Sequence, residues 1–433
     1  MFSNQKFIRL STAILLFVLL TIFSEAVTAQ TNKLPVGVNV GNLVGSTLNG
    51  TMSVAQVNQL IQKKFGISVS PTAQALDLYK ITYRSHDEKN REVVLSGLVV
   101  LPRGGAANGL VIFNHGTIVN SALAPSRFTG KSNASEAELA TLAFASGGYA
   151  VAMPDYLGLG DHKGAHPYPL GAVNSPSAVD IIEPARTLAK LQNTLIGSKL
   201  FVSGYSEGGA VAMWTVRDLE RKSGAGYDVS AAALASGPYD LSDTTRKWLL
   251  AAPTSQEEFV IRLYLTSYMA YYFHKSTGVK LTEYFKPAMA LTISQAFKGN
   301  ISDENIIKRL AVAAVLMRSK NSLANVITDR FKKTLETLDA SDPVIREMRK
   351  SDVYDWSPRT KMLLISLPGD KIVDPLNTEK TLRTMRQRGI GKDILRQYVI
   401  KDAGLNHITA IAPALAEARR FFDGGFTGLR DAP

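Results

Sequence analysis

The stretch that decides the fold is Leu200-Phe201-Val202-Ser203-Gly204-Tyr205-Ser206-Glu207-Gly208-Gly209, followed by Ala210-Val211-Ala212-Met213-Trp214. A β-prone run leads into Gly-x-Ser-x-Gly and then into residues of helical character, so the stretch reads as strand, sharp turn and helix. A serine at the tip of such a turn has its hydroxyl exposed, provided that its flanks carry no side-chain bulk. Gly204 and Gly208 remove the Cβ atoms that would collide there. Gly209 lets the new helix lie close on the sheet. The helix N-terminus behind Ser206 offers free backbone N–H groups to a developing oxyanion. Gly-x-Ser-x-Gly also occurs in glycine-rich loops that do no chemistry. Here the strand before it and the helix after it favour Ser206 as a nucleophile.

Outward from this stretch the chain alternates. Upstream, Leu110 to Phe113 reads as a strand, Ser135 to Ala145 as a helix, and Tyr149 to Met153 as a strand. A helix follows over about Ser177 to Leu191, with Pro184 as a kink or a late start. Downstream come a helix over Gly208 to Lys222 and a strand over Ala231 to Ala235. Strand–helix alternation at this spacing predicts a mostly parallel sheet with helices on both faces, an α/β class. Before it, Ser53 caps a helix over Val54 to Phe65 that stops at Gly66. Leu78 to Tyr83 and Val93 to Leu101 make a hairpin across the polar turn Ser85 to Arg91. Residues 31–50 show no clear period and read as an extended leader. From about Leu241 to Trp356 the alternation stops and the period is helical, with Phe259, Tyr264, Tyr268, Tyr271, Tyr272 and Phe273 crowded together. The alternation resumes with a strand over Met362 to Leu367, a helix over Asn377 to Arg388, a strand over Gln397 to Ile400 and a helix over Ile408 to Phe422. The expected organisation is a core over 30–240 and 357–433 with a helical cap at 241–356.

Composition narrows the chemistry. The 433 residues are 45% apolar and 20% charged, ordinary for a globular protein with a sizeable core. The absence of cysteine excludes disulfides, thiolate metal sites and cysteine nucleophiles. The net charge of +12 is scattered along the chain, which suits solubility and attraction to anionic surfaces and does not form a nucleic-acid-binding stripe. Residues 1–29 read as a signal peptide. Lys6 and Arg9 are its basic part, Ala13 to Phe23 an apolar run of eleven residues, and Val27-Thr28-Ala29 a small-residue cleavage site. That run is short of the ~20 residues a span needs, so export after cleavage near Ala29 is expected over an uncleaved anchor.

A serine nucleophile needs a base, an acid to orient that base, and donors for the oxyanion. Of six histidines, two follow Ser206. His274 sits among aromatics in the helical stretch and reads as a packing residue. His407, in Gly404-Leu405-Asn406-His407 between the last strand and the last helix, reads as the base. Asp370, in the turn Pro368-Gly369-Asp370 after the preceding strand, reads as the acid. Asp374 is its near competitor and better suited to capping a helix; Asp240 is a more distant alternative. His115-Gly116-Thr117 follows an early strand, so the N–H groups of Thr117 and Glu207 are the expected oxyanion donors, with His115 bracing the loop. His162 and His166 are four apart, but Gly164 and Pro167 make a helical zinc pair improbable. Gly158-Leu159-Gly160 lacks the third glycine of a dinucleotide fingerprint.

Phe113-Asn114-His115-Gly116-Thr117, Pro154-Asp155-Tyr156-Leu157-Gly158-Leu159-Gly160, His166-Pro167-Tyr168, the Ser206 turn, Pro368-Gly369-Asp370 and Gly404-Leu405-Asn406-His407 together resemble the α/β-hydrolases, and among them the secretory-lipase-type serine esterases. The resemblance covers residues 80–425. It implies hydrolysis of carboxylic esters through a Ser206–His407–Asp370 triad and an acyl-enzyme, a helical lid over an acyl pocket, and no cofactor or metal. The expected partner is a small-molecule ester or lipid, with transient contact at lipid surfaces and neither nucleic acid nor an obligate protein partner. A peptidase of the same fold and a non-catalytic binding protein are the competing readings.

Overall fold

The computed structural model describes residues 31–32, 42–131, 135–222, 227–298, 301–319 and 322–429; the expected signal peptide lies outside them. Ten strands form one sheet among the described residues: β1 (Thr31–Asn32), β2 (Leu43–Met52), β3 (Leu76–His86), β4 (Glu92–Pro102), β5 (Leu110–Asn114), β6 (Ala150–Pro154), β7 (Leu200–Tyr205), β8 (Val229–Ala235), β9 (Met362–Ser366) and β10 (Leu395–Val399). Their order is β1-β2-β3-β4-β6-β5-β7-β8-β9-β10. From β6 to β10 every pairing is parallel; β1 to β4 are antiparallel, as is the join of β4 to β6.

The parallel strands need helices on both faces, and alternate residues show which face is which. Val111, Phe113 and Phe201 pack against α1 (Val54–Phe65), α2 (Glu136–Phe144) and α14 (Ile411–Gly424). Leu110, Ile112 and Val202 face α3 (Gly171–Asp180), α4 (Ile182–Leu191) and α5 (Glu207–Lys222). On that side α13 (Leu376–Gln387) contributes Met385. Ser53 caps α1 as expected, its side chain accepting from Gln56 N–H.

Two local expectations need correction. Residues 31–50 are not an aperiodic leader: Leu43–Met52 is a ten-residue strand, antiparallel to β3, with β1 added at its edge. Only Leu43 and Met52 of β2 are buried, so the strand leaves no period-two signal. The helix expected over 177–191 is two helices that break at Ile181. Pro184 is no kink but sits in the first turn of α4, where a missing N–H costs nothing.

Between β8 and β9 a short turn of π-helix (Leu241–Thr245) opens a run of helices: α6 (Arg246–Leu250), α7 (Gln256–Thr277), α8 (Leu281–Tyr284), α9 (Pro287–Ala296), α10 (Asp303–Leu316), α11 (Asp329–Thr337) and α12 (Pro343–Ser351). They share an apolar core of their own, built on Phe259, Leu263, Tyr268, Phe273, Tyr284 and Phe331. Tyr168 and Leu170, from the loop after β6 that leads to α3, join that core and tie it to the sheet.

Candidate active site

The site lies at the carboxyl ends of the parallel strands, where open α/β sheets bind ligands. Three non-glycine residues there hold left-handed backbone: Tyr156 after β6 (φ 70°), Ser206 after β7 (φ 58°) and Ser236 after β8 (φ 45°). Such conformations are strained and persist only where packing imposes them. At Ser206 the packing is explicit. A Cβ on Gly204 would come within 2.1 Å of Gly208 O, and one on Gly208 within 2.0 Å of Asn114 O. The turn closes because two backbones touch where side chains would stand. Ser206 N–H donates to Ala235 O on the next strand at 3.0 Å, and Gly209 N–H to Ser206 O at 2.8 Å.

Two loops bring partners to Ser206 Oγ. In the first, Asn406 Oδ1 accepts from Ile408 N–H (2.9 Å) and Thr409 N–H (3.0 Å), shaping a tight loop that presents His407. Tyr205 Oη donates to His407 O at 2.6 Å and anchors that loop to β7. His407 Nε2 then lies 2.9 Å from Ser206 Oγ. In the second, Asp370 Oδ1 accepts from Ile372 N–H (2.9 Å) and Val373 N–H (3.0 Å), which leaves Oδ2 to face His407 Nδ1 at 2.6 Å. A carboxylate only accepts, so Nδ1 carries the imidazole proton and Nε2 is free to accept from Ser206 Oγ–H. Ser206 is 9% exposed, His407 3% and Asp370 7%, so water competes little for these bonds.

The alternatives are occupied elsewhere. Asp374 Oδ1 accepts Leu376 N–H at the start of α13. Asp240 is buried against Thr244 and makes an ion pair with Lys380 at 2.5 Å. His274 Nδ1 donates to Val279 O at the end of α7. His162 Nδ1 accepts Gly158 N–H, whereas His166 meets Glu207, so the two do not converge. Among the described residues, no three His, Asp or Glu side chains group as metal ligands would.

A cavity of about 450 Å³ opens over Ser206 and His407, lined by Thr117 and Glu207 as well. His115 is buried and stacked on Tyr156 with centroids 4.2 Å apart. Its Nδ1 lies 2.7 Å from Gly116 O, and burial lowers its pKa. It therefore braces the loop as a neutral ring. Gly116 presses close to the nucleophile: a Cβ there would lie 3.3 Å from Ser206 Cβ and 2.6 Å from Glu136 Oε1. Much of the wall comes from the helical run, through Trp248, Ile261, Tyr264, Leu265, Met269 and Ile307. Among the described residues, no lysine or arginine lines it.

Among solved structures, a Legionella pneumophila protein ascribed a hydrolase activity superposes with a TM-score of 0.76 at 24% identity, over 88% of this chain and 98% of that one. The rice cell wall degrading esterase LipA of Xanthomonas oryzae, in a ligand-bound form, gives 0.75 at 21% identity, over 90% and 99%. Candida antarctica lipase A in its closed state gives 0.60 at 15% identity, over 91% and 85%. The chain has the α/β-hydrolase fold. No protein-family model matches it, and no curated protein matches it in sequence.

Within this fold the structure adds contacts around the site that sequence reasoning missed. Glu136 opens α2, lines the cavity and accepts Gly116 N–H at 2.8 Å; burial pushes its carboxyl up to about 7. Tyr268 Oη donates to Ile118 O at 3.0 Å. Asp303, also in the cavity wall, lies beside the N–H groups of Val119 and Asn120, and burial raises its pKa. The helical run thus grips the loop that follows Thr117. No spacing rule marks these residues, because each contact joins segments far apart in the chain.

Proposed function

We propose that this chain is a serine hydrolase of carboxylic esters, an esterase or lipase in its chemistry. The observation that carries the reading is the continuous relay from Asp370 Oδ2 through His407 to Ser206 Oγ, at 2.6 and 2.9 Å. His407 Nε2 takes the Ser206 proton as Oγ attacks the acyl carbonyl. The N–H groups of Thr117 and Glu207 receive the oxyanion. His407 then returns the proton to the leaving alcohol, leaving an acyl-enzyme that water hydrolyses by the same steps. Asp370 holds the imidazole in the tautomer this requires. The largely apolar, lysine- and arginine-free cavity suits an uncharged acyl chain. The solved structures of like fold include proteins called an esterase and a lipase, which agrees with this choice.

In this reading the substrate is a small ester or lipid, met at times on a lipid surface, and the protein acts after export and cleavage near Ala29. Initial rates on p-nitrophenyl esters of increasing chain length, run beside a peptide panel, test the chemistry. Fluorophosphonate labelling with mass-spectrometric mapping tests the nucleophile. Ester inertness, or a label away from Ser206, sinks the proposal. N-terminal sequencing of the mature protein tests the cleavage site.

A further inference from the structure

Behind Ser206 lies a buried pair that the proton relay does not use. Glu207 Oε1 is 2.8 Å from His166 Nε2 and 3.4 Å from Asn174 Nδ2, and the side chains of Glu207 and His166 are each 1% exposed. His166 Nδ1 lies 2.9 Å from Leu157 O. A carbonyl only accepts, so Nδ1 carries a proton. Nε2 faces a carboxyl oxygen, and two lone pairs opposed in a dry site repel, so a second proton lies between Nε2 and Oε1. Whichever atom holds it, the pair is neutral overall. Glu207 Oε2 is buried with no partner among the described residues, so the surroundings stabilise no free carboxylate there.

The same imidazole is tied to the other side of the site. The Tyr156 ring lies next to both His166 and His115, with centroids 5.8 and 4.2 Å away, and its hydroxyl donates to His115 O at 3.1 Å. Two residues beyond His166, Tyr168 lies beside the Thr117 side chain and lines the same cavity. Gly158 holds this segment against itself, since a Cβ there would meet His166 N at 2.5 Å. One buried histidine therefore braces both Glu207 and the His115–Thr117 loop.

Resting on the reading of Ser206 as the nucleophile, we propose that the His166–Glu207 pair positions the oxyanion hole. It fixes Glu207 N–H relative to Thr117 N–H and keeps a neutral group beside the developing negative charge. Glu207 and His166 are positioning residues in this scheme, since they act through backbone donors.

The test measures wild type, Glu207→Ala, Glu207→Gln and His166→Ala, as full chains, on p-nitrophenyl butyrate. Each is also assayed with a trifluoromethyl ketone, which captures Ser206 as a tetrahedral oxyanion, and by thermal melting. Both alanine variants are expected to lose on the order of 10²-fold in kcat, the scale of one lost oxyanion donor, with KM little changed and the ketone weakened in proportion. Glutamine can donate its amide N–H to His166 Nε2 and is expected to restore most of kcat. The proposal is overturned by a lowered melting point with kcat intact, by a raised KM with kcat intact, or by Glu207→Gln behaving like Glu207→Ala. Should His166→Ala fail to fold, the two Glu207 variants decide between these outcomes. A wild type inert on esters overturns the hydrolase reading itself and this inference with it.

Discussion

Asp370→Asn is the sharpest test of the relay, because the structure dictates which way the new amide must point. Asp370 Oδ1 accepts two backbone N–H groups, from Ile372 and Val373. An asparagine keeps both bonds only with its oxygen there, and its NH2 then faces His407 Nδ1. That nitrogen has to accept, so the proton moves to Nε2 and the imidazole no longer takes one from Ser206. The opposite orientation sets NH2 against two N–H donors and leaves both unpaired, at about 1–3 kcal/mol each. The two together bias the amide by roughly 30- to 10⁴-fold toward the orientation that disables the base. Turnover of p-nitrophenyl butyrate is expected to fall by up to about 10⁴-fold, the loss a reversed tautomer causes in serine proteases. The folded structure keeps its hydrogen bonds, so the melting temperature is expected to move little. Asp374→Asn preserves the bond to Leu376 N–H and is expected to leave turnover near that of wild type. An Asp370→Asn enzyme within tenfold of wild type, or an inactive Asp374→Asn, refutes the reasoning.

Further outcomes follow from other contacts. Ser206→Ala is expected to fold normally and lose on the order of 10⁴-fold or more in ester turnover; unchanged turnover in the folded variant removes the central claim. Gly208→Ala drives a methyl group to 2.0 Å from Asn114 O, backbone that cannot swing aside. It is expected to cost about 3 kcal/mol or more, read as a lowered urea midpoint, and a midpoint like that of wild type contradicts the packing account. Glu136 has its carboxyl raised to about 7, so between about pH 4.5 and 7 the folded chain holds a proton that the unfolded chain has released. Stability therefore falls as pH rises through that window, by up to about 3 kcal/mol, and Glu136→Gln is expected to flatten the fall. Asp352, raised to about 6, supplies part of the slope that remains; identical slopes in the two proteins refute the assignment. Tyr268→Phe keeps the ring but drops the bond to Ile118 O, and is expected to lower short-chain turnover a few-fold. Tyr268→Ala removes the ring stacked on the cavity-lining Tyr168 and is expected also to change the ratio of long-chain to short-chain rates, and a flat ratio with only a lowered melting point sinks that link to the cavity.

The parallel half of the sheet was legible in the sequence, because its strands are buried on both faces and punctuated by glycine and proline. The Ser206 turn, the Asp370 turn and the His407 loop were legible for a similar reason: each is a short segment whose residue types announce a turn in a known place between strand and helix. The edge strand Leu43–Met52 was not, since a strand with two buried residues leaves no pattern. Nor was the break at Ile181: the expected helix begins only at about Ser177, yet Gly171 to Pro176 fold as part of α3 against α5 once buried. Tertiary packing there overrides local propensity.

The helical run shows most plainly where sequence reasoning stops. Its aromatics read as lid core sooner than as substrate wall, and in the structure Tyr264 lines the cavity while Tyr268, Tyr271 and Tyr272 pack in the core of the helical run. Tyr268 stacks on Tyr168 and Phe297, with centroids 5.1 and 5.3 Å apart, as a core residue would. Its hydroxyl meanwhile donates to Ile118 O, one residue beyond Thr117. Asp303 lies beside the next two N–H groups of the same loop. A cap that only selected chain length would touch the acyl chain and leave the oxyanion loop to the sheet. This one bonds to the loop directly, so displacing the helices would release Ile118 and loosen the adjoining Thr117 N–H with it. Selection of the substrate and readiness of the oxyanion donor are on this argument one equilibrium. Variants of the helical run should therefore change kcat and chain-length preference in a correlated way rather than separately.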